Sequence, residues 1–251
     1  MKKKISSVIF IAIGLLGLGF LFYHAISFEK IAMLNLDLYV PVNTNNNIGG
    51  WNFFAYFTFL SNFLVDVYLI LLGIGRLGNK KLLSLAYNPY IQGCLTVYIF
   101  ITGVIYWTIL GPHILLYPWD GPMAFGNIVN FWNHLIMPLF MTVLWFFPFN
   151  NRGLNKKFIY LTLIFPFAYY VFSLIRGVIL EPNWFPYPFI SPRYLWTSLL
   201  EDKPFEILKG YSLYLLFLFL IFCLFVMVSK SLVHFRNKRI KNKCYDLTYD
   251  I

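Results

Sequence analysis

Residues 210–229 read GYSLYLLFLFLIFCLFVMVS, twenty consecutive positions without a charged side chain. A helix of about 20 apolar residues spans the ~30 Å hydrocarbon core of a bilayer, so this stretch predicts a transmembrane helix. Five segments of similar character precede it. The predicted spans are residues 5–28, 51–75, 91–111, 127–149, 158–180 and 210–229, followed by a basic cytoplasmic tail over 230–251. The predicted fold class is an all-α integral membrane protein, a single bundle of six transmembrane helices.

The overall composition also indicates a lipid environment. Hydrophobic residues make up 59% of the chain and charged residues 12%, whereas a soluble domain carries about 25% charge. The net charge of +10 would suggest nucleic acid as the partner of a soluble protein. Here the basic residues lie between apolar segments, where they act as topology signals, so we predict membrane lipids as partners and no nucleic acid.

The cysteines and the amino-acid usage give two further expectations. Cys94, Cys223 and Cys244 form no C-x-x-C pair, so neither a zinc site nor a disulfide framework is predicted. No metal or organic cofactor is implied. The frequent use of Lys, Asn, Ile, Phe and Tyr is typical of an AT-rich bacterial genome and favours a bacterial plasma membrane.

The distribution of Lys and Arg predicts the orientation of the helices. The N-terminus, the loops near 80 and 155 and the C-terminal tail hold fifteen basic residues, whereas the alternate loops hold four. Positive residues accumulate in the cytoplasm, so both termini are predicted to be cytoplasmic. The first apolar segment is longer than the core of a signal peptide and has no small-residue cleavage motif, which favours a retained helix.

Aromatic residues and prolines concentrate on the predicted outer side. Most of the tryptophans fall there, which suggests an aromatic cap. After a proline-rich stretch, Ser191 and Pro192 form a good helix start, so a short amphipathic helix is predicted to lie on the outer interface.

Polar side chains inside two spans are the main candidates for function, because polar groups in lipid usually face the interior of a bundle. In the second span, Thr58, Ser61, Asn62 and Asp66 share one helix face. The fourth span carries a similar polar group near its outer end, formed by Asn127, Asn130, Asn133 and His134.

Thr58 and His134 each lie seven residues inside the outer start of their predicted span. At 1.5 Å per residue both would lie ~10 Å below the outer boundary, where a hydroxyl and an imidazole can meet. Pro138 removes the amide that would bond the carbonyl of residue 134, so we expect a bend there and a carbonyl open to a partner or water. The structural alternatives are a Thr that bonds its own helix and a His that bonds a neighbouring helix.

Other polar residues are weaker candidates. Arg176 is interpreted as snorkelling to headgroups, or else as binding a substrate carboxylate or phosphate. Asp66 lies about two turns deeper than Thr58 and is interpreted as a structural, protonated or hydrogen-bonded side chain. His24 and Tyr106 are interpreted as interfacial residues that could support the site, and His113 as a loop residue. The familiar motifs H-E-x-x-H, C-x-x-C and G-x-S-x-G are missing from the sequence.

Three stretches carry a family resemblance. Tyr56-Phe57-Thr58-Phe59-Leu60-Ser61-Asn62, Asn133-His134-Leu135-Ile136-Met137-Pro138 and Tyr187-Pro188-Phe189 resemble the signature regions of the bacterial Pr-six-Pr membrane-protein family. That family is similar in its six-helix layout to the androgen-induced-gene-like threonine hydrolases of animal membranes, also called the androgen-dependent TFPI-regulating protein family. Those enzymes use a threonine and a histidine to cleave esters of fatty acids with hydroxy fatty acids. The resemblance implies these roles for Thr58 and His134.

The predicted function is hydrolysis of lipid or fatty-acyl esters inside the membrane. His134 would accept the proton of Thr58, whose oxygen attacks the ester, and water would then release the acyl group. Asn62 and Asn130 are the candidate oxyanion donors, with Arg176 and Tyr106 as further substrate-binding candidates. The rival hypothesis is a non-enzymatic membrane protein that binds or transports a lipid or small molecule at the same polar stripe.

Overall fold

A computed structural model describes residues 2–32, 54–110, 121–147, 149, 152–180, 185–190 and 204–249. All regular structure in these ranges is helical, and six helices are long and apolar enough to cross a membrane. The prediction of six spans is therefore confirmed. The predicted interfacial helix after Ser191 and the loop residue His113 lie outside the described residues, as does the side chain of His24.

The described residues form eight α-helices. They are α1 (Lys2–Ala32), α2 (Phe57–Leu77), α3 (Lys80–Ala86), α4 (Pro89–Ile105), α5 (Gly121–Phe131), α6 (Met137–Phe146), α7 (Lys157–Ile175) and α8 (Pro204–Tyr249). The short α3 lies between the second and third spans, and α5 and α6 together form the fourth span. A short 3-10 turn, Pro188–Ile190, lies between α7 and α8.

Within the described ranges, three of the spans contain a π-helical turn. These turns are Tyr106–Leu110 after α4, Trp132–Ile136 between α5 and α6, and Arg176–Leu180 after α7. Pro138 follows the second turn and has no amide for the carbonyl four residues earlier, which explains why the regular pattern is interrupted there. Each π turn holds one of the residues singled out from the sequence, namely Tyr106, His134 and Arg176.

The basic segment after residue 229 is a continuation of the last helix. Arg236 is buried on α8, lies over the Trp145 ring at 4.8 Å and donates from Nε to the Arg152 carbonyl at 2.8 Å. Asn237 donates to the carbonyl of Leu154 and accepts from its amide. The first part of the predicted tail is thus packed against the segment that precedes α7.

The bundle is organised around α4, which contacts α2, α6, α7 and α8. Its fully buried side chains Val97, Ile99 and Ile101 belong to the main core. α1 packs closely on α2 through glycine: a Cβ on Gly17 would clash with the Asp66 carboxylate. Because small residues allow backbones to approach, van der Waals packing can hold such helices together in lipid.

Candidate functional site

The polar face of α2 points into the bundle as predicted. Ser61, Asn62 and Asp66 are buried, and Thr58 is partly buried in the first turn of the helix. The Ser61 hydroxyl bonds the Thr102 hydroxyl of α4 at 2.9 Å. This stripe therefore connects α2 to its neighbours instead of facing lipid.

Thr58 is held by Tyr187, a residue of the segment between α7 and α8. The Thr58 amide donates to the Tyr187 hydroxyl at 3.1 Å, and the two hydroxyls lie 3.0 Å apart. The residue before α2, Tyr56, makes no side-chain cap, and the first amides of a helix need external acceptors. Tyr187 supplies one of them from 129 residues away in the chain. Burial raises the pKa of Tyr187, so its phenol remains protonated at neutral pH.

Aromatic packing fixes the segment that carries Tyr187. The Tyr187 ring meets Tyr56 edge-on at 5.5 Å and stacks on Phe189 at 5.1 Å. In the same cluster, the Tyr169 hydroxyl of α7 donates to the Ala55 carbonyl at 2.9 Å. Buried aromatic pairs of this kind restrict side-chain orientation. The Tyr187 hydroxyl is consequently presented to Thr58 by a packed surface.

His134 is only 6% exposed and its ring is fixed from two directions. Nδ1 lies 3.0 Å from the Asn130 carbonyl, and the Tyr106 ring stacks on the imidazole at a centroid distance of 3.6 Å. A carbonyl oxygen only accepts hydrogen bonds, so Nδ1 carries the proton of the neutral ring. The lone pair then resides on Nε2, the arrangement that a general base requires.

The His134 carbonyl is available to a donor outside its own helix, as expected because Pro138 has no amide to bond it. The His134 carbonyl accepts a hydrogen bond from Trp107 Nε1 at 3.0 Å, which confirms the expectation that it takes a partner. Gly103 of α4 approaches the same carbonyl, and a Cβ there would lie 2.9 Å from it. Gly103, Pro138 and the Trp107 indole thus together fix the backbone position of His134.

Asn62 connects the two candidate catalytic residues through the backbone. Its Nδ2 donates to the Thr58 carbonyl at 2.9 Å and to the Asn133 carbonyl at 3.2 Å. The Thr58 and Asn133 carbonyls are therefore both within hydrogen-bond distance of one amide group. Among the described residues no hydrogen bond joins Thr58 directly to His134.

The predicted substrate-binding residues differ in their hydrogen bonds and in their burial. Asn62 uses its amide group for backbone carbonyls, so a role as oxyanion donor would require one of those bonds to break. Asn130 orients His134 through its carbonyl. Arg176 is 8% exposed, so it is not extended to the surface as snorkelling requires. Asp66 is 1% exposed and lies against Gly17 of α1.

An apolar cavity of about 590 Å³ lies beside Thr58, between α4, α7 and α8. At one end its wall includes the polar residues Thr58, Thr102, Tyr106 and Tyr187. The remaining lining is almost entirely aliphatic and aromatic. Cavities of ~300–1,000 Å³ with a few placed polar groups are typical ligand sites. We call this space the apolar cavity.

Several features of the site are not evident from the sequence. Tyr187 belongs to one of the three stretches that carry the family resemblance, but no pattern in the sequence pairs it with Thr58. The sequence makes Tyr106 an interfacial residue and a substrate-binding candidate, whereas the structure shows that it both lines the cavity and stacks on the His134 imidazole. The interruption at Pro138 was the one sequence signal for the π turn.

Comparison with known proteins finds no matching family model, no matching curated protein and no matching solved structure.

Proposed function

We propose that the protein is an intramembrane hydrolase of lipid or fatty-acyl esters, with Thr58 as nucleophile and His134 as base. One observation carries the proposal. Thr58 and Tyr106 share a wall of the apolar cavity, and the Tyr106 ring lies against His134. An ester held at this wall lies next to the Thr58 hydroxyl. The Tyr106 ring separates it from the His134 imidazole, whose lone pair is on Nε2.

The reaction follows the scheme of a hydroxyl nucleophile with a histidine base. His134 Nε2 takes the Thr58 proton, and Thr58 Oγ1 forms a bond to the ester carbonyl carbon. The alcohol leaves with the proton from His134. Water, deprotonated by His134, then cleaves the acyl–threonine ester and releases the acid. Proton transfer requires contact or one bridging water, and free enzymes often show longer catalytic hydrogen bonds that tighten with substrate.

Tyr187 supports the chemistry as a hydrogen-bond donor. Its hydroxyl lies 3.0 Å from Thr58 Oγ1 and lines the cavity. Because burial keeps this phenol protonated, it does not serve as the base. It can donate to the negative oxygen that forms when Thr58 attacks a carbonyl. In our proposal Tyr187 takes the role first considered for Asn62 and Asn130.

The proposal includes the setting of the enzyme. We place the chain in the Pr-six-Pr family and in a bacterial plasma membrane, with both termini in the cytoplasm. The fifteen-to-four distribution of basic residues supports the orientation. The three π turns lie on the same side of the bundle as Thr58 in this arrangement.

A non-enzymatic lipid binder or transporter is the second candidate. It is supported by the apolar cavity itself, whose lining suits a lipid chain with or without catalysis. In that case the Thr58, Tyr187 and Tyr106 hydroxyls would only orient the ligand.

The deciding experiment is covalent labelling together with a hydrolysis screen. The purified protein is treated with a fluorophosphonate probe and then offered fatty-acyl esters, including hydroxy-fatty-acid esters and phospholipids. We expect labelling and hydrolysis by the wild type and by Thr58→Ser, and loss of both in Thr58→Val, which keeps the side-chain shape.

The matched control is Thr108→Val, which removes an exposed hydroxyl that does not line the cavity. It should label like the wild type. Wild-type protein that neither labels nor cleaves any ester would overturn the hydrolase proposal and leave the binder.

A further inference from the structure

A second cavity lies between the start of α7 and the extended part of α8. It has a volume of about 850 Å³ and is lined by the cationic residues Lys156, Lys230, Lys238 and Lys241, together with His234 and Asn237. No acidic side chain is among the described residues that line it. We call it the basic cavity. Its charge is complementary to an anion.

The basic cavity is contiguous with the apolar cavity. Tyr160, Leu163 and Phe222 line both spaces. The four lysines therefore lie at one end of a continuous groove along α7 and α8, and the Thr58 wall lies at the other. A ligand that fills the groove has an anionic head and an apolar body.

The groove opens sideways toward the bilayer. Tyr160, Phe167 and Phe219 line the apolar cavity and are 72%, 68% and 61% exposed. Exposed apolar side chains on transmembrane helices face lipid, so a molecule can pass between α7 and α8 without leaving the membrane. This route suits a lipid and does not require passage through water.

The length of the apolar cavity suits an acyl chain. Along α7 its lining extends from Tyr160 to Tyr170, which at 1.5 Å per residue is ~15 Å. With carbon–carbon bonds of ~1.5 Å, each advancing an extended chain by ~1.25 Å, this length accommodates about twelve carbons.

We infer that the groove between α7 and α8 is a binding site for an anionic membrane lipid, whose headgroup phosphate lies among the lysines and whose acyl chain fills the apolar cavity. Basic pockets at the membrane interface are suited to anionic headgroups, because each Lys near the surface contributes attraction. The site goes beyond the proposed hydrolysis and does not depend on it.

The test compares two triple variants with the same change in net charge. Lys156→Gln, Lys230→Gln and Lys238→Gln remove lysines of the basic cavity. Lys80→Gln, Lys81→Gln and Lys157→Gln remove exposed lysines that do not line it. Binding to each detergent-solubilised protein is measured by native mass spectrometry with dioleoyl phosphatidylglycerol and with dioleoyl phosphatidylcholine.

We expect the wild type and the control triple variant to prefer phosphatidylglycerol, and the cavity triple variant to bind it at least about tenfold more weakly. Equal loss in both triple variants would show a nonspecific charge effect and overturn the inference. No preference in the wild type would overturn it as well.

Two further arms test the acyl chain and the source of the phosphate. Leu218→Trp fills the apolar cavity, whereas Leu220→Trp places the same side chain on the exposed face of α8. Only the first should weaken lipid binding. Soluble glycerol phosphate should not compete at concentrations where the lipid saturates; effective competition would indicate a site for a free phosphate and overturn the lipid assignment.

Discussion

The imidazole of His134 lies nearly parallel to the Tyr106 ring, with centroids 3.6 Å apart and planes at 18°. The Tyr106 hydroxyl is buried and has no hydrogen-bond partner among the described residues. The aromatic ring is therefore the part of Tyr106 that positions the histidine.

Substitutions at Tyr106 separate the contribution of its aromatic ring from that of its hydroxyl. Tyr106→Phe keeps the stacked ring and removes an unsatisfied hydroxyl, so we expect hydrolysis to persist and stability to rise by up to about 1 kcal/mol. Tyr106→Leu removes the ring and should slow probe labelling at least about tenfold. Labelling rates and thermal unfolding in detergent measure both effects. An equal loss of labelling in Tyr106→Phe and Tyr106→Leu would assign the positioning of His134 to the Tyr106 hydroxyl.

Tyr187→Phe tests the contact with Thr58. The substitution removes the acceptor of the Thr58 amide, which should lower the free energy of unfolding by about 1 kcal/mol. If the phenol also stabilises the oxyanion, kcat should fall about 10²-fold. Tyr170→Phe is the control, because its hydroxyl bonds Tyr214 and not Thr58. A Tyr187→Phe protein with unchanged kcat would limit Tyr187 to a helix cap.

Gly103→Ala tests the close approach of α4 to His134. Alanine favours a helix by up to about 1 kcal/mol over glycine. Here its Cβ would lie 2.9 Å from the His134 carbonyl and 3.0 Å from the Pro138 ring, so we expect a net loss of about 1–3 kcal/mol. Gly19→Ala meets no atom within 4 Å and should be neutral or stabilising. Both variants are measured by thermal unfolding. Similar midpoints for Gly103→Ala and Gly19→Ala would contradict the packing argument.

Arg236 should be sensitive to a change that keeps its charge. Lys cannot reproduce the planar contact with Trp145 or the Nε bond to the Arg152 carbonyl. We therefore expect Arg236→Lys to reduce the free energy of unfolding by about 1–2 kcal/mol. Lys81→Gln, at an exposed position outside the basic cavity, is the control and should leave the unfolding midpoint nearly unchanged.

The orientation of the chain can be tested with single cysteines. Cysteines introduced near residues 80, 155 and 240 should react only after the cytoplasmic side is exposed, because basic residues concentrate there. A cysteine near residue 190 should react from outside in intact cells. Modification of the residue 190 position only from the cytoplasm would reverse the topology.

Hydrophobic length was sufficient to predict the six helices. A helix must satisfy its own backbone in lipid, so any long apolar run has one available structure. The helix ends were less accurate: α2 begins at Phe57 and not near Trp51, and α5 begins at Gly121 and not near Asn127. The count of residues from the span ends therefore does not fix the positions of Thr58 and His134 relative to each other. What relates the two segments in the structure is the Asn62 amide, which donates to the carbonyls of Thr58 and Asn133.

The parts of the site that escaped prediction depend on tertiary structure. A π turn adds one residue to a helical turn, and hydropathy does not change at such a point. The pairing of Tyr187 with Thr58 depends on how an aromatic segment packs at the end of the bundle. Neither relation has a periodicity that a single sequence displays.

The contact between Thr58 and Tyr187 also has a consequence for biosynthesis. Thr58 leaves the ribosome 129 residues before its partner. A nascent chain that has inserted α2, α5, α6 and α7 already contains Thr58, Tyr106 and His134, yet the amide of Thr58 still lacks the hydroxyl that caps it. Thr58 acquires its final surroundings only when the segment after α7 has been translated and has folded back onto α2.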